Sequence, residues 1–235
     1  MNVIELKNVK KDYPLGATTV HALRGVDLAI KEGDFISIVG PSGSGKTTLL
    51  NIVGCIDHAS EGLVKIHDED VTTYSDRQLT DLRLHTIGFI FQTFNLIPVL
   101  TTRENVEFPL LLMKEGLSRK EIRQRAEKLI DEVGLTEQIN HKPYELSGGQ
   151  RQRVAIARAL VTKPTIVLAD EPTANLDSET GEMILKLMKE LNTIEKTTFV
   201  FSTHDADILK YANGVVKIKD GLMVGDYASG ANAVN

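Results

Sequence analysis

The octapeptide Gly40-Pro41-Ser42-Gly43-Ser44-Gly45-Lys46-Thr47 constrains this chain more than any other feature. It fits G-x-x-x-x-G-K-[ST], a pattern in which a buried strand feeds a glycine-rich loop and the loop opens a helix. Both flanks agree. Phe35 to Val39 reads as a strand buried on both faces, and Thr48-Leu49-Leu50-Asn51-Ile52-Val53 opens as a helix. A triphosphate needs many donors at short range. Gly43 and Gly45 let the backbone wrap closely, so that successive N–H groups of residues 42–48 point inward, and the helix N-terminus adds positive potential. Lys46 can reach the β- and γ-phosphates, and the Thr47 hydroxyl can ligate Mg²⁺. A glycine-rich surface turn would need none of this context.

A second chemical signal lies at the end of Thr165-Ile166-Val167-Leu168-Ala169-Asp170-Glu171-Pro172, an apolar strand closing in two carboxylates. Asp170 at a strand's carboxyl end can hold Mg²⁺, directly or through water. Glu171 is placed to act as base or orienter for an attacking water. Neighbouring strand residues face opposite ways, so both serve one site only if the strand ends there, which Pro172 favours.

The third signal is Leu146-Ser147-Gly148-Gly149-Gln150. Ser147-x-x-Gln150 has capping-box form ahead of a helix over Arg151 to Val161. Capping accounts for Ser147 and Gln150 but not for Gly148 and Gly149, each of which costs about 1 kcal/mol inside a helix. What two glycines permit is close backbone approach to an anion at the helix N-terminus. The phosphate loop already occupies another helix, so this second anion site requires a second surface.

The rest of the chain is read around these three motifs. Val26, Leu28 and Ile30 alternate with polar or small residues, as do Val64 and Ile66, the period of antiparallel strands with one wet face. Thr198 to Ser202 and Ile87 to Phe91 read as further strands. Between them a helical block is inserted. Thr101 to Glu104 and Ser118 to Glu121 have capping-box form, and Ile122, Ala126, Leu129, Ile130 and Val133 make one stripe stopped by Gly134. Phe94 to Leu100 is unusually apolar for a loop. About half of it is expected in the core and the remainder to receive a partner helix. The tail after Asp226 is small and polar.

Composition narrows the classes. A net charge of -5 gives no support for a nucleic-acid partner. The single cysteine, Cys55, lies in an apolar run and reads as a buried hydrophobe in a reducing compartment. No run approaches the ~18 apolar residues that span a bilayer, and the N-terminus carries no secretory h-region.

With Leu146 to Gln150 in unaltered signature form, the whole chain resembles the ABC ATPases. The resemblance implies an α/β P-loop NTPase fold with a mainly parallel sheet, an N-terminal antiparallel β-subdomain and an inserted α-helical subdomain. Residues 1–235 would form one domain, its core over about 1–92 and 161–235 and its helical part over about 93–160. It implies that Tyr13 stacks on adenine, that Gln92 is the glutamine serving Mg²⁺, that Asn175-Leu176-Asp177 lies across a dimer seam, and that His204 contacts the γ-phosphate. Catalysis would rest on Glu171, His204, Gln92 and Lys46, with Thr47, Gln92 and Asp170 around the metal. ATP and Mg²⁺ are the implied cofactors. A second copy, head to tail, would bring Ser147 and Gly149 to the ATP on the first. An integral-membrane permease is the further partner, holding the chain at the cytoplasmic face of the membrane. The segments Phe91 to Pro98 and Glu104 to Leu110 resemble the lipoprotein-release and macrolide-export ATPases. Cassettes driving non-transporting membrane partners, in cell division or antimicrobial-peptide sensing, share nearly all these motifs.

Overall fold

The computed structural model describes residues 1–113, 116–174, 176–203 and 209–225. Two sheets organise them. The first is antiparallel and built from β1 (Asn2–Leu15), β2 (Thr18–Lys31), β4 (Glu61–Ile66) and β5 (Glu69–Asp70), in the order β2-β1-β4-β5. The alternation read in the sequence holds: Val26, Leu28 and Ile30 are buried, while Asp27 and Ala29 between them are exposed.

The second sheet has six strands, ordered β10-β9-β3-β8-β7-β6. Its members are β3 (Phe35–Val39), β6 (Ile87–Ile90), β7 (Ile166–Asp170), β8 (Thr198–Ser202), β9 (Gly214–Lys219) and β10 (Leu222–Met223). Pairings from β9 across to β6 are parallel, and only β10 runs antiparallel, on β9. Strands covered on both faces lose the polar alternation, which is why β7 and β8 are buried throughout.

Side-chain alternation divides the core. Ile36, Ile38, Leu168 and Val200 face one way and pack with Leu49, Leu50 and Val53 of α1 (Lys46–Val53) and with the antiparallel sheet. Phe35, Val167, Phe199 and Phe201 face the other way, into the helical block. That block contains α3 (Thr102–Leu112), α4 (Arg119–Glu132) and α5 (Gly148–Leu160), with α6 (Ser178–Glu195) contributing Ile184 and Met188 to the same cluster. Phe35 lies 5.3 Å from Phe199 and 5.1 Å from Phe201, ring centre to ring centre, so three aromatics knit the central strands on this side.

The helix starts are capped as their sequences require. Thr101 accepts from the Glu104 N–H at 3.2 Å and Ser118 from the Glu121 N–H at 3.3 Å, and the glutamates reach back to the N–H groups of Thr101 and Ser118 at 2.8 Å each. Gly134 takes φ 66° after α4, ending it in the left-handed conformation.

Some boundaries differ from expectation. α5 begins at Gly148, so both glycines are helical. β6 stops at Ile90, leaving Phe91 outside the strand. No residue of 94–100 is fully buried: Leu96 packs on the core, while Val99 stays 70% exposed. A helix outside the sequence reading, α2 (Asp76–Thr86), buries only Leu79 and therefore shows no apolar stripe. Its signal is the Ser75-x-x-Gln78 cap, in which the Ser75 N–H donates to Gln78 Oε1 at 3.0 Å.

Candidate functional site

A cavity of about 860 Å³ opens at the carboxyl ends of β3 and β7, where open α/β sheets gather ligands. Gly40, Pro41, Ser42, Gly43, Gly45, Lys46, Thr47, Thr48, Gln92, Asp170 and Glu171 all line it. Eleven expected site residues from three separate stretches of sequence thus meet in one place.

The loop is shaped by what surrounds it. A Cβ on Gly40 would stand 2.1 Å from the Ile218 carbonyl oxygen. Gly45 has φ 106°, and a Cβ there would lie 2.7 Å from the Ala22 carbonyl oxygen. Beneath the loop, Ser44 is buried with its Oγ unpartnered, and its carbonyl accepts from the Gly221 N–H at 3.0 Å. Gly221 in turn accepts from the Arg24 N–H at 2.9 Å, which fastens the phosphate loop to β2. Lys46 Nζ donates to the carbonyls of Gly40 at 2.8 Å and Pro41 at 3.0 Å, so its ammonium caps the loop from inside.

Opposite stands the acidic strand end. Thr47 Oγ1 donates to Asp170 Oδ2 at 2.9 Å, and Ser202 Oγ to Asp170 Oδ1 at 2.5 Å. Ser202 is the register partner of Asp170 on β8. Its Oγ also accepts from the Glu171 N–H at 3.0 Å. Glu171 has φ 48°, an unfavourable conformation for a residue with a side chain. This turn, one residue beyond β7, lets consecutive carboxylates share one cavity. Gln92 completes the wall, its Nε2 donating to Glu171 Oε2 at 3.0 Å.

Other expected residues lie elsewhere. Tyr13 is not on the cavity wall. Its hydroxyl donates to Asp57 at 2.7 Å, the Lys11 ammonium sits 4.9 Å from its ring centre, and burial raises its pKa. It stands behind the wall, beside Thr48. Ser147 to Gln150 form the cap of α5 on another surface, with Ser147 Oγ accepting from the Gln150 N–H at 3.2 Å. Asp177 is exposed and caps α6. Its carboxylate accepts from the Thr180 N–H at 2.9 Å, a bond that lowers its pKa. His204 and Asn175 lie outside the described residues.

The cavity also has walls that sequence reasoning missed. Val20, His21 and Ala22 of β2 line it, as do Asp220 and Gly221. The β2 residues carry no local signal. The other pair does: Asp220 and Gly221, with φ 51° and 78°, are the two-residue turn between β9 and β10, and Asp-Gly is a favoured sequence for such a hairpin.

Known proteins resemble this chain over most of its length. The family model described as ABC transporter matches residues 23–174. An ABC transporter ATP-binding protein of Methanocaldococcus jannaschii, MJ0796, is 51% identical over 221 residues, covering 93% of this chain and 94% of its own. Its solved structure, a dimer in a post-hydrolysis state bound to ADP and Pi, superposes with a TM-score of 0.92 at 48% identity, covering 96% of this chain and 98% of that one. A macrolide export ATP-binding/permease protein of Syntrophobacter fumaroxidans is 44% identical over 95% of this chain, which spans 31% of its length.

Proposed function

The chain belongs to the ABC transporter family, and on that premise we propose that it binds and hydrolyses ATP at the cavity between residues 40–48 and Asp170-Glu171, as the motor of a membrane permease. The observation that carries this reading is the convergence of Lys46, Thr47, Gln92, Asp170 and Glu171 on one cavity, while the capped start of α5 faces elsewhere.

The residues divide the work. Lys46 and the first N–H groups of α1, which have no intrahelical acceptor, take up phosphate charge. Among the described residues no cluster of three or more His, Cys, Asp or Glu could hold a metal unaided. One hydroxyl and one carboxylate, 2.9 Å apart, instead fit Mg²⁺, which prefers few protein oxygens plus phosphate and water. Thr47 and Asp170 would hold the ion, with Gln92 beside it. Bound there, Mg²⁺ neutralises charge on the phosphate oxygens. Glu171 takes the proton of the attacking water, and Gln92 fixes its carboxylate. His204 stabilises the transferring phosphoryl group, and Tyr13 meets the adenine only where the base extends past the cavity wall beyond Thr48.

The start of α5 requires a second copy. In the head-to-tail dimer Ser147 and Gly149 approach the γ-phosphate held by the other subunit, and Asp177 lies along the seam. The relative solved as a dimer bound to ADP and Pi supports the formation of a dimer. Loss of the γ-phosphate then loosens the dimer.

No helix among the described residues is long and apolar enough to cross a membrane. The face we assign to the permease is Val99 with Phe108, Leu111 and Leu112 of α3, all exposed apolar side chains. The likeness to a macrolide export protein supports the lipoprotein-release and macrolide-export group. The test is capture of the Glu171→Gln variant with ATP from detergent-solubilised membranes. Co-purification of an integral-membrane permease is expected. Recovery only from the soluble fraction, alone or with nucleic acid, overturns the permease assignment.

A further inference from the structure

Two arginines on one face of α5 grip the segment that follows Gln92. Arg151 and Arg158 are seven residues apart, two helical turns, and so lie on one stripe. The Arg151 guanidinium sits 5.2 Å from the centre of the Phe94 ring. Arg158 donates from Nη2 to the Phe94 carbonyl at 2.7 Å and from Nη1 to the Asn95 carbonyl at 2.5 Å. Burial pulls the Arg158 pKa down to about 10, with no carboxylate contributing to the shift. The guanidinium is half-buried, and the two carbonyls replace part of the water it gives up.

The grip falls on strained backbone. Phe94 and Asn95 have φ 63° and 48°, two consecutive left-handed residues. Asn tolerates that conformation, but Phe does not, and such strain persists only where surrounding contacts over-determine it. The remaining contacts within the turn are local: the Phe94 N–H donates to the Phe91 carbonyl at 3.1 Å and the Asn95 N–H to the Thr93 carbonyl at 2.7 Å. Arg158 is the tie that reaches across 63 residues of sequence. The turn begins two residues after Gln92, whose amide holds Glu171 at 3.0 Å.

We propose that Arg158 is a positioning residue for hydrolysis, fixing the turn at Phe94-Asn95 to α5 so that Gln92 is held against Glu171. The proposal rests on the ATPase reading above and deepens it. The helix that starts at Ser147 and the residue that orients the base become one mechanical unit, because the same rigid helix carries both the cap and the clamp. Arg153, on that helix, binds the carbonyls of Val133 and Gly134 at 3.0 and 3.1 Å, so α4 moves with it. A shift of α5 is therefore transmitted to Gln92 through two carbonyl hydrogen bonds and one ring face.

The test is steady-state ATP hydrolysis by the full chain, comparing wild type, Arg158→Gln, Arg158→Lys, Gln92→Ala and the double variant Arg158→Gln/Gln92→Ala. Arg158→Gln should lower kcat about 10- to 100-fold while KM for ATP changes less than about twofold, because alignment is lost and nucleotide contacts are not. Arg158→Lys should recover part of kcat, since an ammonium still reaches carbonyls. In the Gln92→Ala background Arg158→Gln should cost nearly nothing further, the non-additivity expected of residues acting through one another. Independent, multiplying effects, or a rise in KM alongside the loss of kcat, overturn the proposal. If Arg158→Gln does not fold, Arg151→Met in both backgrounds serves, with a loss of about threefold in kcat that Gln92→Ala abolishes; additive losses overturn it. A wild-type chain with no hydrolysis at all would instead remove the ATPase reading.

Discussion

Thr47 and Asp170, 123 residues apart, are joined by one hydrogen bond of 2.9 Å from Thr47 Oγ1 to Asp170 Oδ2. The bond places a neutral and an anionic oxygen side by side, and these two residues would hold Mg²⁺. Replacing the hydroxyl with an isosteric methyl, Thr47→Val, should leave ATP affinity without metal nearly unchanged and remove most of the gain that Mg²⁺ gives. Titrations of a fluorescent ATP analogue with Mg²⁺ and with EDTA measure both. A variant that retains the full Mg²⁺ gain would show that Thr47 does not serve the ion.

Lys46 lines the cavity and donates to two loop carbonyls. Lys46→Ala removes a charge-assisted contact worth about 1.5–3 kcal/mol, so ATP affinity should fall about 10- to 100-fold. Calorimetric binding at fixed Mg²⁺ measures it. Unchanged affinity counts against the phosphate assignment of this loop.

Gly40 has no room for a side chain, since a Cβ would stand 2.1 Å from the backbone oxygen of Ile218. Because the obstacle is backbone of the neighbouring β9, relief requires moving a strand. Gly40→Ala should cost at least about 1–3 kcal/mol and lower Tm by several degrees. A thermal melt matching wild type would mean that the loop and β9 yield more easily than their packing suggests.

The sequence carried most of the site because its signals are local. A glycine loop between strand and helix, a strand ending in Asp170 and Glu171, and the cap at Ser147 are all defined by neighbours in sequence. Missed were contributions made only by tertiary register. Val20 and His21 reach the cavity because β2 passes over the loop, and Ser202 binds Asp170 because β8 lies beside β7. Arg158 reads as one polar residue among apolar helix positions, and only the fold shows what it holds. Among the elements, α2 was hidden for want of an apolar face, whereas the stripe of α4 announced itself. The twist at Glu171, φ 48°, was implied by the need for two carboxylates in one site, but its value came from the fold.

Cys55 is buried, with φ 54°, and burial pushes its pKa up from 9 to about 11. The thiolate is the reactive form, so iodoacetamide should label the native chain at pH 8 far more slowly than the urea-unfolded chain. Between pH 9 and about 11 the unfolded chain loses this proton first. The stability tied to the thiol is therefore complete below pH 9 and declines as pH rises through that interval. Equal labelling rates in native and unfolded chains would contradict the buried placement.

The most direct test of the account is the mass in solution of Glu171→Gln with and without ATP, by light scattering behind size exclusion. The substitution keeps the size of the side chain and removes the base, so ATP should bind and persist. A particle of one 25.9 kDa chain is expected without nucleotide and of two chains with ATP. Adding Ser147→Arg at the cap of α5 should abolish the dimer while sparing ATP binding. A variant that binds ATP yet keeps the mass of a single chain at every concentration tested would contradict the composite site, and with it the assignment of Ser147 and Gly149.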